Sequence, residues 1–321
     1  MWLKICDFLL LRQGNKRMIP VGAIHESPVS QTNYCNIRAI HESPLQQTTP
    51  KETYMKTPII DFHTHPFDTI DENICQYKYD VGVGRDEVKN YMNNLGIEHI
   101  CGSVIHVPAV PDMPWSGIRE LNNIALTLAE EYNGFYIPGF HIHPSYLKES
   151  LEEIERMHSI GVNLIGEIVP YCFGWSDYSS REMDEILDLA LELNMIFSFH
   201  TMNEDAIDRM VEKHPKNILV AAHPGEKDSF TRHLARMEKS ENYYLDLSGT
   251  GIFRQGMLAY GIKKFGAERF LFGTDFPVCN PAVYVGGVGM DDLLTDSDKE
   301  KVMFGNADRL LRETENKFYE N

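Results

Sequence analysis

From Met55 onward, short runs rich in apolar and β-branched residues alternate with longer polar stretches in which apolar residues recur every three or four positions. The runs 58–63, 99–106, 135–143, 162–168, 195–200, 217–223, 243–248 and 269–275 are the predicted strands. Between them lie helical patterns such as DEVKNYMNNLG, GIRELNNIALTLAEEY, REMDEILDLALELN and EDAIDRMVEK. The strands are nearly continuous in apolar character rather than alternating, which means both faces are buried, as in a parallel sheet covered by helices. Eight such units in residues 55–321 match a (β/α)8 TIM barrel, an α/β fold of about 250 residues. A doubly wound open sheet would call for a GxGxxG turn after the first strand, and none follows it.

Residues 1–54 do not share this pattern. The motif AIHESP occurs at 23–28 and again at 39–44, set among Gln, Thr, Ser, Asn and Pro. Two short polar copies cannot bury a core, so 1–54 is predicted to be a disordered or spurious N-terminal extension, and 55–321 the folded domain. The first twelve residues carry Lys4, Asp7 and Arg12 within a very short apolar run, which does not fit a signal peptide. No apolar stretch reaches the 18 or so residues that span a bilayer. Six cysteines, at 6, 35, 75, 101, 172 and 279, show no CxxC pairing and no disulfide framework. A cytoplasmic location is expected.

Lys plus Arg number 30 against 47 Asp plus Glu, a formal charge of −17. Residues 1–54 hold six basic and four acidic residues, so the acidic balance lies wholly in 55–321, at −19. Such a surface repels phosphate backbones, which disfavours a nucleic-acid partner. The expected partner is a small-molecule substrate, with no membrane; a homodimer is left open.

The ends of the predicted strands carry the chemistry. They bring His63 and His65, His106, His143, Glu167, His200, His223, Ser248 and Asp275. In a barrel these C-terminal ends meet at one mouth, where active sites lie. Core histidines would be scattered along the strands. His63 and His65, two apart, point the same way on a strand, and Asp61 precedes them on that face. His200 ends an otherwise apolar strand. Asp275 ends another, where an isolated carboxylate would be expensive. Nitrogen and carboxylate donors without thiolates suit Zn²⁺, Mn²⁺ or Fe²⁺ and leave positions open for water.

DFHTH at 61–65, GE at 166–167, the terminal His200, AHPG at 222–225 and FGTDFP at 272–277 together resemble the amidohydrolase superfamily. The nearest resemblance is to its amidohydrolase-2 branch, which includes metal-dependent hydrolases and the aminocarboxymuconate-semialdehyde decarboxylase group. The resemblance spans 55–321. It implies that His63, His65, His200 and Asp275 are metal ligands, with His223 orienting substrate or sharing the proton of a metal-activated water. Glu167 resembles instead the two-metal pattern of TatD-type hydrolases, in which the Glu is a ligand; one or two divalent ions, zinc foremost, are therefore expected. Asp275 is the expected proton carrier, with His223 beside it as a second catalytic residue. His106, His143 and Arg254 are the substrate-binding candidates, Arg254 because its guanidinium binds carboxylates bidentately.

The reading that follows is a metal-dependent hydrolase of a small amide, ester or lactone. Its rivals are non-oxidative decarboxylation of a small unsaturated or aromatic acid and a TatD-like binuclear phosphodiesterase. A barrel with a purely structural, closed metal shell is the non-enzymatic option. The segment 276–295 is the expected lid.

Overall fold

The computed structural model describes residues 58–68, 83–106 and 109–319. The predicted extension 1–54 lies outside them. Eight parallel strands alternate with helices: β1 (Ile59–Thr64), β2 (Ile97–Gly102), β3 (Tyr136–Pro138), β4 (Leu164–Ile168), β5 (Ile196–His200), β6 (Ile218–Ala222), β7 (Tyr243–Asp246) and β8 (Phe270–Leu271). The helices are α1 (Val88–Asn93), α2 (Trp115–Tyr132), α3 (Leu147–Ser159), α4 (Arg181–Glu192), α5 (Glu204–Lys213), α6 (Lys227–Lys239) and α7 (Met257–Phe265). They continue with α8 (Pro281–Gly289), α9 (Asp296–Glu300) and α10 (Asn306–Glu313).

The strands pair in chain order as β1-β2-β3 and β4 to β8. Single parallel bridges join the two groups, Phe140 to Ile165 on one side and Thr64 to Phe276 on the other. Hydrogen bonds support both seams: Gly166 N to Phe140 O at 2.8 Å, and Phe62 N to Phe272 O at 2.8 Å. The result is a closed (β/α)8 TIM barrel, as the periodicity predicts. Its interior is packed. Ile60, Phe62, Cys101, Ile137, Leu164, Ile196, Val220, Tyr244 and Leu271 form one buried cluster drawn from all eight strands, and Leu310 and Leu311 of α10 join it. Alternate residues such as Ile59, Phe197 and Phe199 belong to a second cluster shared with the helices.

Helix placement follows from the apolar stripes. In α2, Ile118, Leu121, Ala125, Leu128 and Tyr132 are buried, and in α4, Met183, Ile186, Leu187 and Ala190. Each set recurs at three or four residues, the spacing of one helical face. Ser180 caps α4 by accepting from Met183 N at 3.2 Å. The predicted lid 276–295 is not a free loop: α8 occupies its middle, started by Asn280, which accepts from Ala282 N, and by Pro281 in the first turn. No helix among the described residues is long and apolar enough to cross a membrane.

Candidate metal centre

Past the C-terminal ends of β1, β4, β5, β6 and β8, six side chains converge. β1 runs out at Thr64, and the imidazoles of His63 and His65 still turn their Nε2 atoms toward each other at 3.3 Å. Glu167 Oε2, from β4, lies 3.1 Å from both. Asp275 Oδ1 completes the group at 3.7 and 3.6 Å. The backbone that presents Asp275 is held by its own N–H, which donates to His63 O at 2.8 Å. Asp275 and His223 both sit at left-handed φ, 64° and 68°, a conformation that costs a non-glycine residue energy and clusters at functional sites.

The tautomers are set from behind. His65 Nδ1 faces the carbonyl of Ser103 at 3.0 Å, and a carbonyl only accepts, so Nδ1 carries the proton and Nε2 the lone pair. His63 Nδ1 likewise faces Asp246 Oδ2 at 3.0 Å. Burial works against a charge on His63, but the carboxylates of Glu167 and Asp246 outweigh it and raise its pKa well above the usual histidine range. Glu167 is also buried, which alone would raise its pKa, yet His63, His200 and His65 together hold it well below the carboxylate range.

Two ring nitrogens and two carboxylate oxygens therefore share a small space. Their separations of 3.1 to 3.7 Å suit a single cation. Ligands at about 2.0–2.2 Å from a tetrahedral Zn²⁺ stand about 3.3–3.6 Å apart. The donor set fits a divalent ion.

The other oxygen of Glu167 serves a second cluster. Oε1 is 3.1 Å from His200 Nδ1, which is 3.1 Å from His223 Nε2, and His223 Nε2 is 3.9 Å from Oε1. His63, His65 and Glu167, and separately Glu167, His200 and His223, are thus both sets that could hold a metal. A third set, His63, His223 and Asp246, surrounds the hydroxyl of Ser248 instead, at 2.9 Å from His63 Nδ1 and 3.0 Å from His223 Nδ1. Exposure grades across the site: the side chains of His63, Glu167 and His65 are 0, 2 and 3% exposed, those of Asp275, His223 and His200 12, 15 and 22%. The second cluster faces the opening.

Asp61, expected on the same face and below the ligands, braces the floor. It accepts from His63 N and from both the backbone N and the hydroxyl of Thr274, tying β1 to the residue before Asp275. Burial pushes its carboxyl up to about 7, against those hydrogen bonds.

The substrate-binding candidates are not brought together. His143 is buried with both ring nitrogens in use: Nε2 meets Phe173 O at 3.0 Å, and Nδ1 accepts from Ser145 N at 3.0 Å, capping the short turn Pro144–Tyr146. No ring nitrogen is left for a ligand, so the expectation for His143 gives way to a framework role. Arg254 is exposed and donates through Nε and Nη2 to the equally exposed Glu226, at 2.9 and 2.7 Å. Its clamp is already filled by a carboxylate of the chain itself. His106 is exposed at the edge of the described residues.

Sequence reasoning passed over Asp246, the role of Ser248, and Tyr171. Asp246 and Ser248 stand two apart on β7 and just beyond it, the same spacing as His63 and His65, and that was the available signal. Tyr171, in the turn Pro170–Phe173, sets its half-exposed ring edge-on to His200 with centroids 5.2 Å apart.

The family model described as Amidohydrolase matches residues 60–312. The chain therefore belongs to the amidohydrolase-2 family. Among solved structures, it is similar to 2,6-dihydroxybenzoate decarboxylase from Rhizobium at 15% identity, covering 80% of this chain and 99% of that one, with a TM-score of 0.60. An uncharacterised TIM-barrel protein from Bordetella bronchiseptica matches at 18% identity, 80% and 99% coverage and a TM-score of 0.63. A dihydroxybenzoic acid decarboxylase from Polaromonas sp. JS666, with bound manganese and the inhibitor 2-nitroresorcinol, matches at 14% identity, 83% and 100% coverage and a TM-score of 0.61. No curated protein matches the chain. Membership of the family places the chain in the general class of metal-dependent hydrolases and decarboxylases.

Proposed function

We propose that this protein is a metal-dependent hydrolase of a small amide, ester or lactone. The observation that carries the reading is the placement of Glu167, whose two oxygens lie one in each of two adjacent donor clusters, the second of them open to the mouth. A carboxylate shared between two donor clusters is suited to holding and deprotonating a water, the nucleophile of hydrolysis. The solved decarboxylases are similar at 14–15% identity, a likeness of fold.

His63, His65, Glu167 and Asp275 would hold a divalent ion, which would supply Lewis acidity and lower the pKa of water from 15.7 towards about 7. Zn²⁺ suits these donors, and Mn²⁺, found in the Polaromonas structure, suits them too. Asp275, partly exposed, accepts the proton of the attacking water and passes it to the leaving group. His223 takes the other O–H of that water on Nε2 and so aims its lone pair. His200 and Glu167 keep that imidazole in register through the contacts already given. Tyr171, at the rim, is placed to hold the substrate against His200.

The test is a panel of small amides, esters and lactones beside 2,6-dihydroxybenzoate, assayed with the full chain loaded with Zn²⁺ or Mn²⁺. Hydrolysis abolished by Asp275→Asn and by chelation supports the reading. Release of carbon dioxide from the benzoate, with no hydrolysis across the panel, overturns it.

A further inference from the structure

Ser248 lies behind the second cluster, fully buried, just past the end of β7. Its hydroxyl touches three groups. It is hydrogen-bonded to Asp246 Oδ1, and it stands 3.0 Å from His223 Nδ1 and 2.9 Å from His63 Nδ1. Its backbone N–H also donates to Asp246 Oδ1 at 2.9 Å.

The protons can be counted. Asp246 serves here as an acceptor: its Oδ1 takes the backbone N–H of Ser248 at 2.9 Å and its Oδ2 faces His63 Nδ1 at 3.0 Å. A hydroxyl and a carboxylate oxygen in contact need a proton between them, and the hydroxyl alone has one to give. With that proton committed to Asp246, the hydroxyl meets His223 only as an acceptor. Nδ1 of His223 must then carry hydrogen, which leaves the lone pair on Nε2, facing His200 and the mouth.

The surroundings hold this arrangement in place. A Cβ added at Gly249 would stand 2.2 Å from His223 Nδ1, so the ring rests against bare backbone and cannot back away. Tyr284 of α8 donates to Gly249 O at 2.6 Å and fixes that backbone. A serine beside a histidine and an aspartate also invites a nucleophilic reading. Complete burial and a proton directed into Asp246 exclude it.

We propose that Ser248 is a positioning residue of the reaction: its hydroxyl couples His223 to Asp246 and fixes the His223 proton on Nδ1, presenting Nε2 as the acceptor that aims the attacking water. The coupling rests on the role given to His223 in the hydrolytic reading. It also joins His223 to His63 through one carboxylate, since Asp246 Oδ2 takes the Nδ1 proton of His63.

The test is long-range ¹H–¹⁵N correlation on the full chain labelled at histidine side chains, as purified and after chelation, with the His223 signals identified by their loss in His223→Gln. The wild type is expected in the Nδ1–H form in both samples. Ser248→Ala is expected to shift His223 to the Nε2–H form or a mixture, and Ser248→Thr, which keeps the hydroxyl, to retain Nδ1–H. In turnover, Ser248→Ala should lose about 10- to 100-fold in kcat with KM and metal content unchanged, the scale usual for removing a hydrogen bond behind a site histidine. Ser248→Thr should recover most of it. A wild-type Nε2–H form overturns the proposal, as does an Nδ1–H form that persists in Ser248→Ala. Should Ser248→Ala fail to fold, the wild type and Ser248→Thr still decide it. Absence of hydrolysis by the wild type would remove the functional reading alone, because the tautomer is read without turnover.

Discussion

Glu167 and Gly249 show how much of the site depends on single atoms. Replacing Glu167 by Gln keeps the shape of the side chain but removes the charge shared by the two clusters and turns one of its acceptors into a donor facing imidazole nitrogens. Elemental mass spectrometry should find metal content falling by at least one equivalent per chain in Glu167→Gln; unchanged content would reduce Glu167 to an ion-pair partner of the histidines. Gly249→Ala tests the wall behind His223. The added methyl group has no room, as its carbon would stand 2.2 Å from His223 Nδ1, and φ at this position is +61°. We expect kcat to fall at least about tenfold while His63, His65 and Glu167 keep their metal, a loss of the size seen when an acid–base residue is displaced. A Gly249→Ala enzyme with wild-type kcat would show that the imidazole has slack. At this scale the sequence was legible where chemistry sits at strand ends: His63, His65, Glu167, His200, His223 and Asp275 all reach one mouth. What it concealed was direction. His143 looks from its position like a member of the same ring, but its two nitrogens are claimed by Phe173 O and Ser145 N. Those partners come from a turn and a loop whose course no periodicity encodes.

Among the elements, α5 and α6 are joined by a buried arginine. Arg236 is almost wholly inaccessible; its Nε donates to Asp208 Oδ1 at 2.7 Å and its Nη2 contacts Glu204 Oε2. Arg232 adds contacts to Asp205 and Asp208. Removing one partner of a buried pair costs about 3–5 kcal/mol, and since both acids are partly exposed, Arg236→Ala should fall near the lower end, about 3 kcal/mol by urea unfolding. A value within experimental error of zero would make the pair an ornament of the surface. The same pair predicts a direction in pH. Burial raises Asp208, but Arg232 and Arg236 outweigh it and leave its pKa below the ordinary carboxylate value. A carboxylate depressed in the folded state stabilises above its unfolded pKa and loses that contribution as the pH falls through the folded one. The stability gap between wild type and Asp208→Asn should therefore be full at pH 7 and shrink below about pH 4. A gap that stays constant from pH 7 to pH 3 contradicts the ion-pair account. The strands themselves were legible as eight apolar runs, yet their ends were not. The run 269–275 yields only Phe270–Leu271 as strand, because beyond it the chain follows β1 and turns at Asp275 with φ 64°. The expected lid became α8, although Asn280 and Pro281 are a helix start visible in the sequence.

For the molecule as a whole, the candidate centre is a concentration of like charge. Glu167, Asp246 and Asp275 stand on the same end of a barrel whose body carries −19 in all, and the first two are almost completely buried. Part of that charge is offset by His63, but a divalent ion offsets it better, and an ion that binds only the folded state stabilises by mass action. At a free-ion concentration of 100 times Kd the gain is about 2.7 kcal/mol. For a folded body somewhat larger than 250 residues, each kcal/mol moves Tm by about 2 °C, so saturating metal should raise Tm by about 5 °C over the chelated chain. General stabilisation by salt would give a similar sign, so the variants decide. Glu167→Gln and Asp275→Asn each remove one donor from the metal-bound protein, and Glu167→Gln also removes the partner of His63, His65 and His200 in the metal-free one. The metal-free Tm of Glu167→Gln should lie below that of the wild type, whose carboxylate is held ionised by those histidines, and the increment of both variants on adding Zn²⁺ or Mn²⁺ should largely vanish. If instead both variants keep the full increment, the ion binds elsewhere and these carboxylates serve only as partners of His63 and His65.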